Sequence, residues 1–405
     1  MTINSKIQNI NCCDHIARRV GDIAPSGIRK FFDLLASMDG VISLGIGEPD
    51  YPTPYHIREA AISSIENGYT MYTPNSGIPE LRQELSKHLK NTYNLDYADS
   101  QILITVGVSE AMDLAARALV NPGDEVLIPD PCYVSYSPCV VLAGGVPVMI
   151  PTCEEERFEI SAEKIEPLIT EKTKALLIGY PANPTGTIMP REKLEEIVKL
   201  ANQHGLIIIS DEIYSRLVYD CEHTCIATLP GAYENTVFLG GFSKAYAMTG
   251  WRIGYAVGPA SIIAAMTKIH QYTIMSVPTM SQVAAVEALR NGETSAAEMV
   301  ADYNRRRLVM VKGLCDIGLS CFKPQGAFYA FPSIKNTGMT SEDFAHNLLM
   351  EEKVAVVPGN AFGRCGEGYV RCCYATSLKE LYEALERMER FLKKRGASQA
   401  ATFQV

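Results

Sequence analysis

The chain alternates short, uninterrupted apolar runs with stretches in which apolar residues recur at helical spacing. Residues 175–180, 206–210 (L-I-I-I-S) and 236–240 (T-V-F-L-G) are runs of strand length. Runs that are apolar at every position, rather than at alternate ones, are expected of parallel strands buried on both faces. Between the first two, residues 191–204 place Leu194, Ile197, Val198 and Ala201 on one side, which predicts a helix and so a strand–helix–strand unit. Residues 101–106 predict another strand, and Gly107-Val108-Ser109-Glu110 turns from it into a helix running through Leu119. Residues 294–314 and 378–394 predict long helices toward the C-terminal end. Residues 131–153 carry no charge over a membrane-span length, but Pro131, Pro138, Pro147, Pro151 and the pair Gly144-Gly145 interrupt them. That predicts turn, helix and strand instead of a membrane helix.

Three of these strand ends carry chemistry. The strand at 175–180 is followed by Asn183-Pro184-Thr185-Gly186, that at 206–210 by Asp211-Glu212-Ile213-Tyr214, and that at 236–240 by Ser243-Lys244 with Arg252 eight residues further on. In open α/β sheets, ligands bind beyond the carboxyl ends of the strands. A lysine at such a place is poorly hydrated, so its amine is favoured as the free base and can form a Schiff base with an aldehyde. An amide, a carboxylate, a phenol and such a lysine, with an anion cradle from Ser243 and Arg252, is what pyridoxal phosphate requires of a protein.

At this point the chain resembles the class I/II aminotransferases, the fold-type I group of pyridoxal-phosphate enzymes. The resemblance rests on Y-P-A-N-P-T-G (180–186), S-D-E-I-Y (210–214) and G-F-S-K-A-Y-A-M-T-G-W-R-I-G-Y (241–255). It extends to I-S-L-G-I-G-E-P-D (42–50), Y-T-P-N-S-G-I-P-E-L-R (72–82) and Y-V-R-C-C-Y-A-T-S (369–377), in the family's order. It implies an α/β fold: a large cofactor-binding domain at 47–285 with a mostly parallel seven-stranded sheet flanked by helices, and a smaller α+β domain from 1–46 and 286–405. It further implies a homodimer with shared active sites, in which Tyr72 reaches the phosphate of the neighbouring subunit.

The resemblance also assigns roles. Lys244 carries the cofactor and then moves a proton between the substrate Cα and the cofactor, in ping-pong turnover. Asp211 pairs with the ring nitrogen, and Tyr214 and Asn183 with the ring oxygen. Tyr133 stacks on the ring, with Tyr136 as the competing choice. Val108, Ser109, Ser243 and Arg252 hold the phosphate, where a hydroxyl residue usual in the family is replaced by Gly241. Arg371, in an otherwise apolar strand-like stretch, clamps the substrate α-carboxylate, helped by Asn183 and the Gly47 backbone.

Substrate choice turns on Ser109. In the aspartate-specific subgroup the turn after T-V-G carries a lysine for the distal carboxylate, and here Ser109 stands at that point. Residues 43–50, 128–136 and 358–371 look closer to archaeal-type aromatic enzymes. The expectation is an aromatic or broad neutral amino donor with 2-oxoglutarate as acceptor. Aspartate transamination, or a C–S β-lyase on the same scaffold, is the alternative. Gly107-Val108-Ser109-Glu110-Ala111 also approaches the G-x-S-x-G of serine hydrolases but lacks the last glycine. A cofactor-binding transcription regulator would need a DNA-binding wing, for which the stretch before residue 15 leaves no room.

Composition narrows the field. A length of 405 residues suggests two domains, and 47% hydrophobic with 20% charged residues fits a compact fold. The net charge of −9 and the lack of a basic run argue against nucleic acid. Twelve cysteines, and a start without a signal-type apolar core, point to reduced thiols and the cytoplasm. The pairs Cys12-Cys13 and Cys372-Cys373 read as packing residues, and 396–405 as a mobile tail. Cys221-Glu222-His223-Thr224-Cys225 has the wrong spacing for a zinc finger, so no metal is expected.

Overall fold

The computed structural model describes residues 15–21, 23 and 38–396. Cys12, Cys13 and the tail beyond residue 396 lie outside them. The described strands are β1 (Ile42–Ser43), β2 (Ile102–Thr105), β3 (Glu125–Asp130), β4 (Val146–Pro151), β5 (Thr173–Gly179) and β6 (Ile207–Asp211). They continue with β7 (Thr236–Gly241), β8 (Gly254–Val257), β9 (Tyr329–Ala330), β10 (Val354–Ala355), β11 (Val357–Pro358) and β12 (Val370–Cys373). Seven of them form one sheet in the order β2-β8-β7-β6-β5-β3-β4. Its pairs are parallel except at β8, which runs antiparallel to both β7 and β2.

The unbroken apolar runs have a direct cause. Along β5, Ala175 and Leu177 enter one core while Leu176 and Ile178 enter another on the opposite face. The first core is closed by Ala111, Leu114 and Ala115 of the helix Gly107–Leu119. The second is closed by Leu194, Ile197, Val198 and Ala201 of the helix Arg191–His204. Each such aliphatic side chain contributes roughly 1.5–3 kcal/mol when fully buried, so a charge on either face of β5 is strongly disfavoured. The helix Arg191–His204 matches its predicted bounds and ends where Gly205 turns to φ 65°, a left-handed value that suits glycine.

The other predicted elements form with small shifts at their ends. Residues 131–153 become the helix Tyr136–Ala143 and β4, and no described helix is long and apolar enough to cross a membrane. The long helices are Glu293–Asp316 and Leu378–Lys393, the latter capped by Ser377, whose hydroxyl accepts from the Glu380 N–H. Residue 285 lies inside the helix Thr279–Asn291, which packs on Tyr55–Glu66 and Pro79–Tyr93, so that boundary falls within an element.

Two small sheets complete the frame. β1 pairs in parallel with β10, and β12 lies between β11 and β9, antiparallel to both. The Cys373 N–H donates to the Leu44 carbonyl at 2.7 Å. The chain leaving β1 is thereby tied to β12 and runs across the carboxyl ends of the large sheet's strands.

Candidate active site

At those carboxyl ends lies a cavity of about 570 Å³. Its lining includes Asn183 after β5, Asp211 and Tyr214 at and beyond the end of β6, and Ser243, Lys244 and Arg252 beyond β7. Val108 and Ser109 of the first helical turn after β2, Tyr133 beyond β3, Gly47 and Arg371 line it too. Twelve residues were expected at the site from sequence, and Tyr72 alone does not reach this cavity. It is 83% exposed, on a loop held by hydrogen bonds from Thr279 Oγ1 to the Met71 carbonyl and from Gln282 Nε2 to Thr73 Oγ1.

Lys244 Nζ donates to the Gly47 carbonyl at 2.6 Å and sits 5.7 and 5.9 Å from the ring centres of Phe328 and Tyr214. Burial pushes its amine down from 10.5 to about 8. Near neutral pH a useful fraction is therefore unprotonated, the state a nucleophile or base needs.

Asp211 is buried, and burial raises its carboxyl to about 6 despite two donors. Those donors are the Ile213 N–H to Oδ1 at 3.1 Å and the Tyr136 hydroxyl to Oδ2 at 2.8 Å. Both tyrosines that the sequence left in competition line the cavity. Tyr136 donates to Asp211, and Tyr133 stands edge-on to it with ring centres 5.6 Å apart.

At the start of the helix Gly107–Leu119, Glu110 Oε2 accepts from the Val106 N–H at 2.5 Å, while the N-cap Val106 offers no side chain to the first-turn N–H groups of Val108 and Ser109 beside the cavity. Arg252 stands against this start: a Cβ on Gly107, which has φ +72°, would come 2.6 Å from Arg252 Nη2. Gly241 has a packing reason. A Cβ there would meet Ile213 Cδ1 and Val108 Cγ2 at 3.0 Å each, leaving little room for a hydroxyl side chain.

Arg371 on β12 is buried and lies 4.4 Å from the ring centre of Tyr329 and 4.8 Å from that of Phe362. Its Nη1 donates to Asn183 Oδ1 at 2.9 Å and its Nη2 to the Gly45 carbonyl at 2.7 Å. Nε has no partner, and none of the ion pairs among the described residues includes Arg371. A buried guanidinium held only by neutral acceptors is costly and suits an incoming carboxylate.

Sequence reasoning missed Tyr329, whose hydroxyl lies 2.6 Å from that of Tyr214. The signal was faint: a Cβ on Gly47 would fall 2.3 Å from the Tyr329 hydroxyl, so that glycine marks the phenol's approach. Outside the cavity, His223 Nε2 is 2.5 Å from buried Glu212, so this histidine already has a partner. No histidine is among the residues lining the cavity, which leaves Ser109 without the base a serine hydrolase needs.

The donor set is suited to a ligand with an anionic group, a basic ring nitrogen and an aldehyde. Arg252 and the first-turn N–H groups of the helix would suit the first, Asp211 the second and Lys244 the third.

The family described as aminotransferase class I and II matches residues 39–388. The chain is 48% identical to an aspartate aminotransferase of Pyrococcus abyssi, over 93% of this chain and 98% of that one. It is 45% identical to aromatic-amino-acid aminotransferase 2 of Thermococcus litoralis, over 94% and 99%. Among solved structures, an aromatic aminotransferase from Pyrococcus horikoshii superposes with a TM-score of 0.87 at 44% identity, covering 92% of this chain and all of that one.

Proposed function

This chain belongs to the class I and II aminotransferases, and from that premise we propose that it moves the amino group of an aromatic or broad neutral L-amino acid to 2-oxoglutarate. As an aminotransferase of this family it uses pyridoxal phosphate, which supplies an aldehyde for amine exchange and a ring that withdraws electrons from the substrate Cα.

The protein's own groups take the following roles in this reading. Val108, Ser109, Ser243 and Arg252 hold the phosphate. Asp211 holds the ring nitrogen protonated, Tyr214 and Asn183 bind the ring oxygen, and Tyr133 covers the ring. Arg371, Asn183 and Gly47 fix the α-carboxylate, which aligns the Cα–H bond toward Lys244. Lys244 Nζ, as free amine, takes that proton and returns it to the other carbon.

One observation carries the substrate assignment. The cavity-lining cations are Lys244, Arg252 and Arg371, and each already has a role. Other residues lining it include Ile46, Glu48, Ser109, Met112, Val134 and Cys139. Among the described residues no further cation lines the cavity to meet a distal carboxylate, and Ser109 occupies the place where the aspartate-specific subgroup carries lysine.

The remaining parts of the proposal concern organisation. The large unit spans 47–285 and the small one 1–46 with 286–405, supported by the pairing of β1 with β10. Two copies assemble with Tyr72 crossing to the neighbour's phosphate, supported by its exposure and by exposed Tyr69, Met71, Tyr272 and Met275. The cytoplasm is the proposed compartment, supported by ten described cysteines that are all unpaired.

The test is a half-reaction screen: holoenzyme, one amino acid at a time, following loss of the cofactor's visible absorbance. Fast reaction with phenylalanine and tyrosine and slow reaction with aspartate supports the assignment. Fast reaction with aspartate makes the enzyme an aspartate aminotransferase. Pyruvate released from a cysteine conjugate without an oxo-acid acceptor identifies a C–S β-lyase.

A further inference from the structure

Tyr136 reaches its place by design of the surrounding backbone. It is the first residue of the helix Tyr136–Ala143, buried in the core beside β3, and its hydroxyl passes over β5 to the end of β6. The passage exists because residue 179 is glycine: a Cβ there would lie 2.2 Å from the phenol oxygen and 3.4 Å from Asp211 Cβ. The hydroxyl has no other partner than Asp211 Oδ2 at 2.8 Å. Asp211 in turn has the Ile213 N–H as its one further donor.

The groups around Asp211 work against one another. Glu212 follows it in the chain and disfavours a second negative charge, while Lys244 favours one from across the cavity. Burial disfavours the carboxylate more than either. A hydrogen bond given to the charged form favours that form. In a site closed to water, the number of donors on a carboxylate thus decides whether a proton shared with a ring nitrogen sits on nitrogen or on oxygen.

We propose that Tyr136, seated over Gly179, is a positioning residue that holds Asp211 as the carboxylate and so sets the protonation of the cofactor's ring nitrogen. The inference rests on the reading that Asp211 faces that nitrogen. It also gives Tyr136 a function separate from ring stacking, which falls to Tyr133. In this role Tyr136 acts through its hydrogen bond to Asp211.

The experiment loads the holoenzyme with pyridoxal phosphate labelled with ¹⁵N in the ring and records the nitrogen chemical shift, which differs widely between protonated and unprotonated rings. Three proteins are compared: wild type, Tyr136→Phe and Asp211→Asn. In wild type the signal lies in the protonated range. In Tyr136→Phe it moves toward the unprotonated range, the proton's partition changing roughly tenfold or more for loss of one hydrogen bond to a charged group. In Asp211→Asn it moves fully. The Phe variant keeps its ring and its packing, so its melting temperature and its KM stay close to wild type while kcat falls.

A signal that moves in Asp211→Asn but stays at the wild-type value in Tyr136→Phe overturns the role of Tyr136 and leaves Asp211 in place. A signal unmoved in both removes Asp211 from the ring nitrogen, and the inference with it. Should Tyr136→Phe not retain cofactor, Gly179→Ala displaces the phenol with Tyr136 intact, and the same shift, or its absence, decides the question.

Discussion

The clamp at Arg371 offers the most direct measurement. Its Nη1 and Nη2 hydrogen-bond only neutral oxygens, those of Asn183 and Gly45, and its Nε has no partner. A bound α-carboxylate therefore adds two hydrogen bonds to a charged group, each worth about 1.5–3 kcal/mol. Arg371→Leu removes both, about 3–6 kcal/mol, which corresponds to roughly 10²- to 10⁴-fold in kcat/KM. Arg371→Lys keeps a charge but not the fork, so it should recover about half of that free energy.

The effect on the fold runs the other way. Leucine gives up two cation–π contacts, to Tyr329 and Phe362, worth about 0.5–2 kcal/mol each. It also removes a buried charge that has no acidic partner, an offsetting gain. The apoenzyme's melting temperature should move by no more than about 3 °C. The assay is single-turnover reaction with phenylalanine, alanine, methionine and aspartate on wild type and both variants. All four should slow by a similar factor, because the α-carboxylate is common to them. A loss confined to aspartate, or a loss below about tenfold for every substrate, refutes the assignment.

Other consequences can be checked alongside. Lys244→Ala should abolish transamination while the protein still takes up pyridoxal phosphate noncovalently, and substantial turnover by a clean variant removes the lysine from its role. Because the Lys244 amine falls from 10.5 to about 8 on folding, the unfolded chain holds a proton there that the native chain lacks between those values. Apoenzyme stability attributable to Lys244 should thus rise from about pH 8 to 10.5, by about 3 kcal/mol, and urea titrations of Lys244→Ala should lack this rise. For Asp211, raised to about 6, the sign is opposite: stability is lost as pH climbs from about 4 to 6, and Asp211→Asn apoenzyme should show a flatter profile there. Mixing the inactive variants Tyr72→Ala and Lys244→Ala should restore up to about a quarter of the wild-type activity, since half the dimers are hybrids with one intact site. No recovery after subunit exchange excludes a shared site.

The legible part of the site follows from chain-local chemistry. Asn183, Asp211 and Lys244 each sit at the end of an apolar run, and a strand's end can be read from its own residues. Arg371 was legible for a related reason, a charge inside the apolar stretch that became β12. Tyr136 and Tyr329 were not legible in their roles, because each acts on a residue far along the chain: Asp211 for one and Tyr214 for the other. Their traces are Gly179 and Gly47, glycines whose meaning appears only when the distant phenol is known to approach. The large sheet was anticipated from unbroken hydrophobicity, whereas two-residue strands such as β1 and β10 are too short to carry a period. Gly241 looked like a missing contact in sequence, and in space it sits closely packed against Ile213 and Val108.

The placement of Arg371 on β12 also orders events in time. Asn183, Asp211 and Lys244 belong to neighbouring strands of one sheet, whereas the clamp comes from a strand made 127 residues after Lys244. At synthesis rates of about 5–20 residues per second, that separation is roughly 6–25 s. On a translating ribosome the groups proposed to anchor the cofactor emerge first and the proposed guanidinium clamp emerges last. Phe328, which packs near the amine, also comes late, so Lys244 keeps its ordinary basicity until the C-terminal part folds against it.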